Sequence, residues 1–361
     1  MYINSLELSH YRNYDALSIS FEPGITILYG DNAQGKTNIL EAIYMAGTTK
    51  SHRGTKDRDV IQFGEEEAHI RLNLSKYEVS HRIDMHLKKN KTKGVAVDGQ
   101  SIRKSGELFG MIHIIFFSPE DLSIIKNGPS ERRRFMNLEL CQLNKVYYYN
   151  YMNYNKALNQ RNTLLKQIAF QPSLKDTLDM WDMYLIEYGT HLIEERESFI
   201  QELNEIVKEI HGHLTGRKES IEIGYEKNVS IEDYERVMVS KRNMDLRYQS
   251  TQAGPHRDDI CFYINGIDVR KFGSQGQQRT AALSLKLAEI ELVKSMIHDT
   301  PILLLDDVMS ELDHNRKQFL LESMNEIQTI VTCTGYDDFI KSRIHINQIY
   351  QVTNGTVALI E

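Results

Sequence analysis

Eight residues near the N-terminus, Gly30-Asp31-Asn32-Ala33-Gln34-Gly35-Lys36-Thr37, have the spacing G-x-x-x-x-G-K-[ST]. Glycines at those places let successive backbone N–H groups curl around a phosphate, and the helix that follows turns its positive end to the same anion. On this reading Lys36 reaches the β- and γ-phosphates of ATP and Thr37 ligates Mg²⁺. Such a site also needs a carboxylate for the metal and a group that positions the attacking water. The run Ile302 to Leu305, followed by Asp306-Asp307, supplies both at one strand end. Asp306 is expected to serve Mg²⁺. Asp307, which strand alternation points elsewhere, is expected to act as general base.

A third element is Phe272-Gly273-Ser274-Gln275-Gly276-Gln277-Gln278-Arg279. Alone, S-x-x-Q is a helix-capping pattern. Between a phosphate loop and an Asp-Asp strand, the S-x-G-Q of Ser274, Gly276 and Gln277 resembles the signature motif of ABC-type ATPases. That resemblance implies that the signature of one subunit faces the γ-phosphate held by the other, so that ATP joins two copies of the chain and hydrolysis releases them. Ser310-Glu311-Leu312-Asp313 is similar to the D-loop that crosses such an interface.

These residues need elements to hold them. Ile25, Ile27 and Leu28 form a short buried-strand pattern ending at Tyr29-Gly30, and Lys36 to Ala46 reads as a helix. Residues 68–103 read as an antiparallel meander with an Asp98-Gly99 hairpin. Helical periodicity runs from about Ser130 to Gln167 and again from Leu174 to Leu214, with Pro172 between. Tyrosines at 147–155 fit helix packing better than base stacking. Strand character returns at Ile260 to Ile264, a helix is expected over Gln277 to Lys294, and the tail reads helix, strand and hairpin. The expected fold is α/β, an ABC-type P-loop ATPase head with an inserted, mostly helical lobe. The head takes residues 1–125 and 260–361, and the lobe takes 126–259, with the signature near its return.

Further stretches narrow the resemblance. The opening LELSHYRNY, with Arg12 and Asn13, is similar to the first strand of SMC-like repair ATPases. The stretch from Phe116 to Asn137, GPHRDD from Gly254 to Asp259, FGSQGQQRTAALSLKLAE and ILLLDDVMSELD resemble the RecF family from end to end. Membership implies a weak, DNA-stimulated ATPase of DNA repair, replication and recombination, with an SOS-response role. It also implies binding to gapped DNA or single-strand/double-strand junctions and RecR and RecO as partners in recombinase loading. Arg12 is expected to reach a phosphate, as in similar heads. Three departures stand out. Asp307 replaces the commoner Glu, as RecF proteins also have it. Thr334 stands where many heads carry a switch His, and Glu120 lies in the region of the Q-loop.

Composition limits the alternatives. A chain of 361 residues with 41% hydrophobic and 26% charged residues should fold, and its length suits two domains or one with a large insertion. A net charge of −7 argues against coating nucleic acid by bulk electrostatics, so DNA contacts should be local. Basic clusters stand at Lys50 to Arg58, Lys88 to Lys93 and Arg132 to Arg134. No apolar run of about 18 residues and no secretory leader are evident, and the three cysteines form no ligand spacing, so a cytoplasmic protein without a membrane partner is expected. A P-loop kinase would not need Ser274-Gln275-Gly276. A nuclease-coupled ATPase of the overcoming-lysogenization-defect type would need an extra metal cluster, and a transporter ATPase would have a shorter head.

Overall fold

The computed structural model describes residues 1–103, 105–335, 339 and 345–360. It divides into two compact units: residues 1–121 with 289–361, and residues 122–288.

The first unit opens with strands β1 (Tyr2–Tyr11), β2 (Tyr14–Ser20) and β3 (Ile25–Tyr29), then helix α1 (Lys36–Thr48). The meander follows as β4 (Glu67–Lys76), β5 (Val79–Lys88), β6 (Gly94–Val97) and β7 (Gln100–Ile102), and β8 (Ile114–Phe117) comes next. One sheet runs β2-β1-β4-β5-β6-β7, antiparallel throughout. Alternation decides its faces: Ala68, Ile70, Leu72 and Leu74 of β4 are buried, as are Ile83, Met85 and Leu87 of β5. Their neighbours point outward. The two residues between β6 and β7, Asp98 and Gly99, have φ of 52° and 81°, the double positive φ of a tight hairpin turn.

The second unit holds α2 (Leu122–Lys126), α3 (Pro129–Leu143), α4 (Lys145–Ile168), α5 (Leu178–Leu214), β9 (Ile221–Glu226), α6 (Tyr234–Tyr248), β10 (Asp259–Ile264), β11 (Ile267–Asp268), α7 (Val269–Phe272) and the start of α8 (Gln275–Ile297). The first helical run divides at Asn144, whose Oδ1 accepts from the N–H groups of Val146 and Tyr147 at 2.8 and 3.1 Å and so caps α4. Helix α5 has 37 residues, about 55 Å of rise. Tyr147 and Tyr154 are buried in the helix packing, whereas Tyr149 is exposed. β9 and α6 lie in a stretch for which the sequence suggested no element, and β9-β10-β11 form a small antiparallel sheet.

This unit is pinned by buried ion pairs. Arg161, fully buried, donates to Asp182 at 2.5 Å and to Asp245 at 2.7 Å. Arg196 donates to Asp258 at 2.9 Å and to the Pro255 carbonyl at 2.7 Å, and Arg132 pairs with Asp259 at 2.6 Å. The GPHRDD stretch is therefore a structural knot within this unit. Burial on this scale is tolerated because each charge finds both an opposite charge and further hydrogen bonds.

Back in the first unit, the chain forms β12 (Ile302–Asp306), α9 (His314–Ser323), β13 (Thr329–Cys333), β14 (Gln348–Thr353) and β15 (Thr356–Leu359). The second large sheet runs β15-β14-β3-β13-β12-β8, with every neighbouring pair parallel except the β14–β15 hairpin. Ile302 to Leu305 are completely buried, as a parallel central strand requires. Helix α1 touches strands of both sheets. The N-terminal strands depend on the end of the chain: Gln328 exchanges side-chain hydrogen bonds with the backbone of Ile3, and Asn347 accepts from the Ile25 N–H at 2.9 Å.

Candidate functional site

The glycine-rich loop joins β3 to α1 at the carboxyl end of the parallel sheet. Gly30 has φ 153°, and a Cβ there would lie 2.3 Å from the Val352 carbonyl oxygen. Gly35 has φ 113°, and its Cβ would come within 2.5 Å of Asn13 Nδ2 and 2.7 Å of the Tyr14 hydroxyl. As N-cap of α1, Gly35 supplies no side-chain acceptor, so the helix's first N–H groups are not capped from within that residue. Other segments hold the loop. Asn13 Nδ2 donates to the Gln34 carbonyl at 3.0 Å, and the backbone N–H of Asn354 donates to Gln34 Oε1 at 2.6 Å.

Lys36 is 7% exposed, and its ammonium donates to the carbonyls of Gly30 at 2.6 Å and Asp31 at 2.7 Å. Burial pushes its pKa down, against the opposing pull of Asp307 and Asp306. Thr37 Oγ1 donates to Asp306 Oδ1 at 2.8 Å, and Thr332 Oγ1 donates to the same oxygen at 2.7 Å. Two oxygens on adjacent corners of a Mg²⁺ octahedron lie about 3.0 Å apart, given bonds of roughly 2.1 Å, so the Thr37–Asp306 pair has the spacing and donor type that Mg²⁺ takes.

Asp307 differs from expectation. The strand ends at Asp306, and Asp307 itself is left-handed, with φ 52° and ψ 26°. Its N–H donates to Thr332 Oγ1 at 3.0 Å. A backbone turn, not strand alternation, therefore separates the two carboxylates.

A cavity of about 550 Å³ collects Asn32 to Asn38, Asp306 and Asp307, within the usual range for a small-molecule site. Its other walls include His52, Arg53, Glu120 and Thr332. The His52 ring stacks on Phe116 with centroids 4.0 Å apart. Thr332, rather than Thr334, faces this cavity, and Glu120 joins it. Gly30 and Asp31 are tied to it through Lys36.

Arg12 is not among the cavity's walls. Its guanidinium is held by Glu41 through bonds of 2.8 and 2.7 Å and by the Asp59 carbonyl at 2.9 Å. Burial alone would raise the pKa of Glu41, but bonds from Arg12 and Ser51 outweigh it and hold the carboxyl below its ordinary value. Arg12 thus neutralises a buried carboxylate on α1. Arg53, exposed on the cavity wall, was passed over in the sequence as part of a generic basic cluster.

The signature lies in the second unit. Ser274 and Gly276 are exposed at the start of α8. Ser274 Oγ accepts from the Gln277 N–H at 3.2 Å while Gln277 Oε1 accepts from the Ser274 N–H at 3.0 Å, a reciprocal capping box. Gln277 Nε2 also donates to Glu219 at 2.9 Å. Gln277, expected at the nucleotide, is therefore engaged within its own unit, while Ser274 and Gly276 are exposed. Ser310 and Asp313 close the turn after β12: Ser310 donates to the Asp307 carbonyl at 2.8 Å, and Asp313 caps α9.

Comparison with known proteins shows which family the chain belongs to. The family model described as RecF/RecN/SMC N terminal domain matches residues 2–358. The chain is 60% identical to the DNA replication and repair protein RecF of Lachnospira eligens over 99% of both chains, and 55% identical to that of Agathobacter rectalis over the whole of both. A solved structure described as the recombination mediator protein RecF-ATP in the RecFOR pathway is 34% identical, covers 100% of this chain with 98% of its own, and superposes with a TM-score of 0.92. The Smc head domain of Pyrococcus furiosus, 16% identical with a TM-score of 0.57, shares the fold alone. Among the described residues no helix is long and apolar enough to cross a membrane. With a family model spanning nearly its whole length and relatives sharing more than half their residues, the chain belongs to the RecF family of SMC-like, ABC-type P-loop ATPases.

Proposed function

We propose that this chain binds ATP with Mg²⁺ in the cavity over the Gly30–Thr37 loop and hydrolyses it slowly, as part of a DNA-repair mediator of the RecF kind. The observation that carries this reading is the convergence of Lys36, Thr37, Asp306 and Asp307 on one 550 Å³ cavity from two separate strand ends. Lys36 leaves its two loop carbonyls for the β- and γ-phosphates, Thr37 and Asp306 hold the metal, and Asp307 orients water. When bound, Mg²⁺ neutralises charge on the transferring phosphoryl group. Arg53 is better placed than Arg12 to meet phosphate.

The exposed Ser274 and Gly276 support a second half-reading, in which a twin chain's signature completes the phosphate cage and ATP drives dimerisation. The inserted lobe, the grip on gapped or junction DNA, stimulation of hydrolysis by DNA, contacts with RecR and RecO, and a cytoplasmic setting follow from kinship with the RecF relatives. Light scattering with a slowly hydrolysed ATP analogue and Mg²⁺ tests the proposal. Wild type should shift to dimer, Lys36→Ala should weaken nucleotide binding, and Ser274→Arg should bind nucleotide yet stay monomeric. Equal dimer fractions in wild type and Ser274→Arg count decisively against a shared cage.

A further inference from the structure

Far from the phosphate chemistry in sequence, the outward face of the first sheet gathers a different donor set. His69 of β4 and His86 of β5 are direct cross-strand partners, with ring centroids 4.0 Å apart and planes only 23° from parallel. Glu67, two residues before His69 and so on the same face, lies 3.0 Å from His86 Nε2. One ligand atom from each of the three falls within 4.8 Å of the others. We propose that Glu67, His69 and His86 form a site for Zn²⁺ or a similar borderline divalent ion.

Geometry and chemistry both favour this. Tetrahedral Zn²⁺ with bonds of about 2.0–2.1 Å needs donors roughly 3.4 Å apart, within reach of a modest side-chain rotation from the present spacing. Strand pairing fixes the backbone of both histidines, so most of the ordering is already in place. The row they occupy runs Ser9, His69, His86, Gly94 across four strands. Small residues therefore stand at both ends of the imidazole pair, and a Cβ on Gly94 would be 4.0 Å from that of His86, leaving the flank open. Two imidazoles and one carboxylate select Zn²⁺, Ni²⁺ or Co²⁺ over Mg²⁺. The site opens on a hollow of about 660 Å³ lined also by Glu7, Arg71 and Asp84, with room for a water or another fourth ligand. One group competes: Lys88, opposite Glu67 in the ladder, holds its carboxylate at 3.3 Å. A cation arriving at Glu67 must displace that ammonium.

The test uses untagged, chelator-stripped full chain titrated with ZnCl₂ by calorimetry, with Co²⁺ absorption as a second readout. We expect one equivalent bound at roughly micromolar strength and at least about tenfold weaker binding in His69→Ala and in His86→Ala. Lys88→Ala should bind severalfold tighter, a gain that a merely structural cluster would not produce. His191→Ala, a surface histidine on α5, should bind as wild type does. Identical isotherms for wild type and His86→Ala, or no Zn²⁺ uptake by either wild type or Lys88→Ala, would overturn the assignment.

Discussion

Replacing Gly35 by Ala asks whether the loop's shape, and not merely its charge, makes the cavity. Two costs can be read from the structure. The residue sits at φ 113° with ψ 0°, outside the small left-handed basin an alanine can enter, which costs about 1–3 kcal/mol. The new Cβ would also meet Asn13 Nδ2 at 2.5 Å and Oδ1 at 2.8 Å, so the Asn13 amide must swing away. That breaks its bond to the Gln34 carbonyl and the bond it accepts from Asn38 Nδ2, about 1 kcal/mol together at an exposed position. Stiffening of the unfolded chain returns about 0.4–1 kcal/mol. The sum is roughly 1–3.5 kcal/mol, divided between stability and nucleotide affinity according to whether the loop holds its form or relaxes. Urea unfolding and titration with a fluorescent ATP analogue measure the two parts, and their total should fall in that range, equivalent to about 5- to 400-fold if all of it appears in binding. Repeating both in an Asn13→Ala background should reduce the loss by about 1 kcal/mol, because the displaced amide is gone. A combined loss below about 0.5 kcal/mol, with no coupling to Asn13, would refute the steric account.

Two further outcomes concern the second unit. His256 accepts from the Tyr154 hydroxyl at Nδ1 (2.6 Å) and faces the Thr251 carbonyl through Nε2, and burial pushes its pKa down to about 4. The unfolded chain therefore takes up this proton first, near pH 6.5, so stability falls as pH drops from about 6.5 towards 4. Between pH 7.5 and 5 this group should cost about 2 kcal/mol in urea unfolding, and His256→Asn should lack that increment. Arg161→Met leaves Asp245 without a cationic partner and Asp182 with Arg242 alone, which should destabilise by about 3–5 kcal/mol in the same assay. Burial raises the pKa of Asp245 despite Arg161, so its taking up a proton should place the result at the lower end.

The strand, turn and helix start around Gly30 to Thr37 were legible because the pattern is local: the spacing of Gly30, Gly35, Lys36 and Thr37 encodes them within a few residues. Asp306 was legible for a similar reason, since Ile302 to Leu305 can only be a buried strand with its polar end exposed. The helical texture and the Asp98-Gly99 turn were visible through periodicity and turn chemistry. What stayed hidden depends on pairing across distance. Arg12 looked available until Glu41, 29 residues on, proved to hold it. Gln277 was read as a nucleotide contact because its capping bond and its tie to Glu219 are settled by the fold. The turn at Asp307 appears only once β12 is seen to stop one residue earlier. His69 and His86 meet through a register that no single strand declares.

The placement of β3 between β13 and β14 has a consequence for how the molecule is made. The strand that leads into the glycine-rich loop, Ile25–Tyr29, is made long before its two neighbours, Thr329–Cys333 and Gln348–Thr353. Until those strands are made this apolar segment lacks both lateral partners, and Gln34 lacks the Asn354 amide that steadies it. The helical unit, continuous in sequence from Leu122 to Ala288, can fold on the way. The Gly30–Thr37 loop thus gains its support only after β13 and β14 are made, and a polypeptide released before them by a stalled ribosome or a premature stop carries the whole motif with no strand on either side to support it.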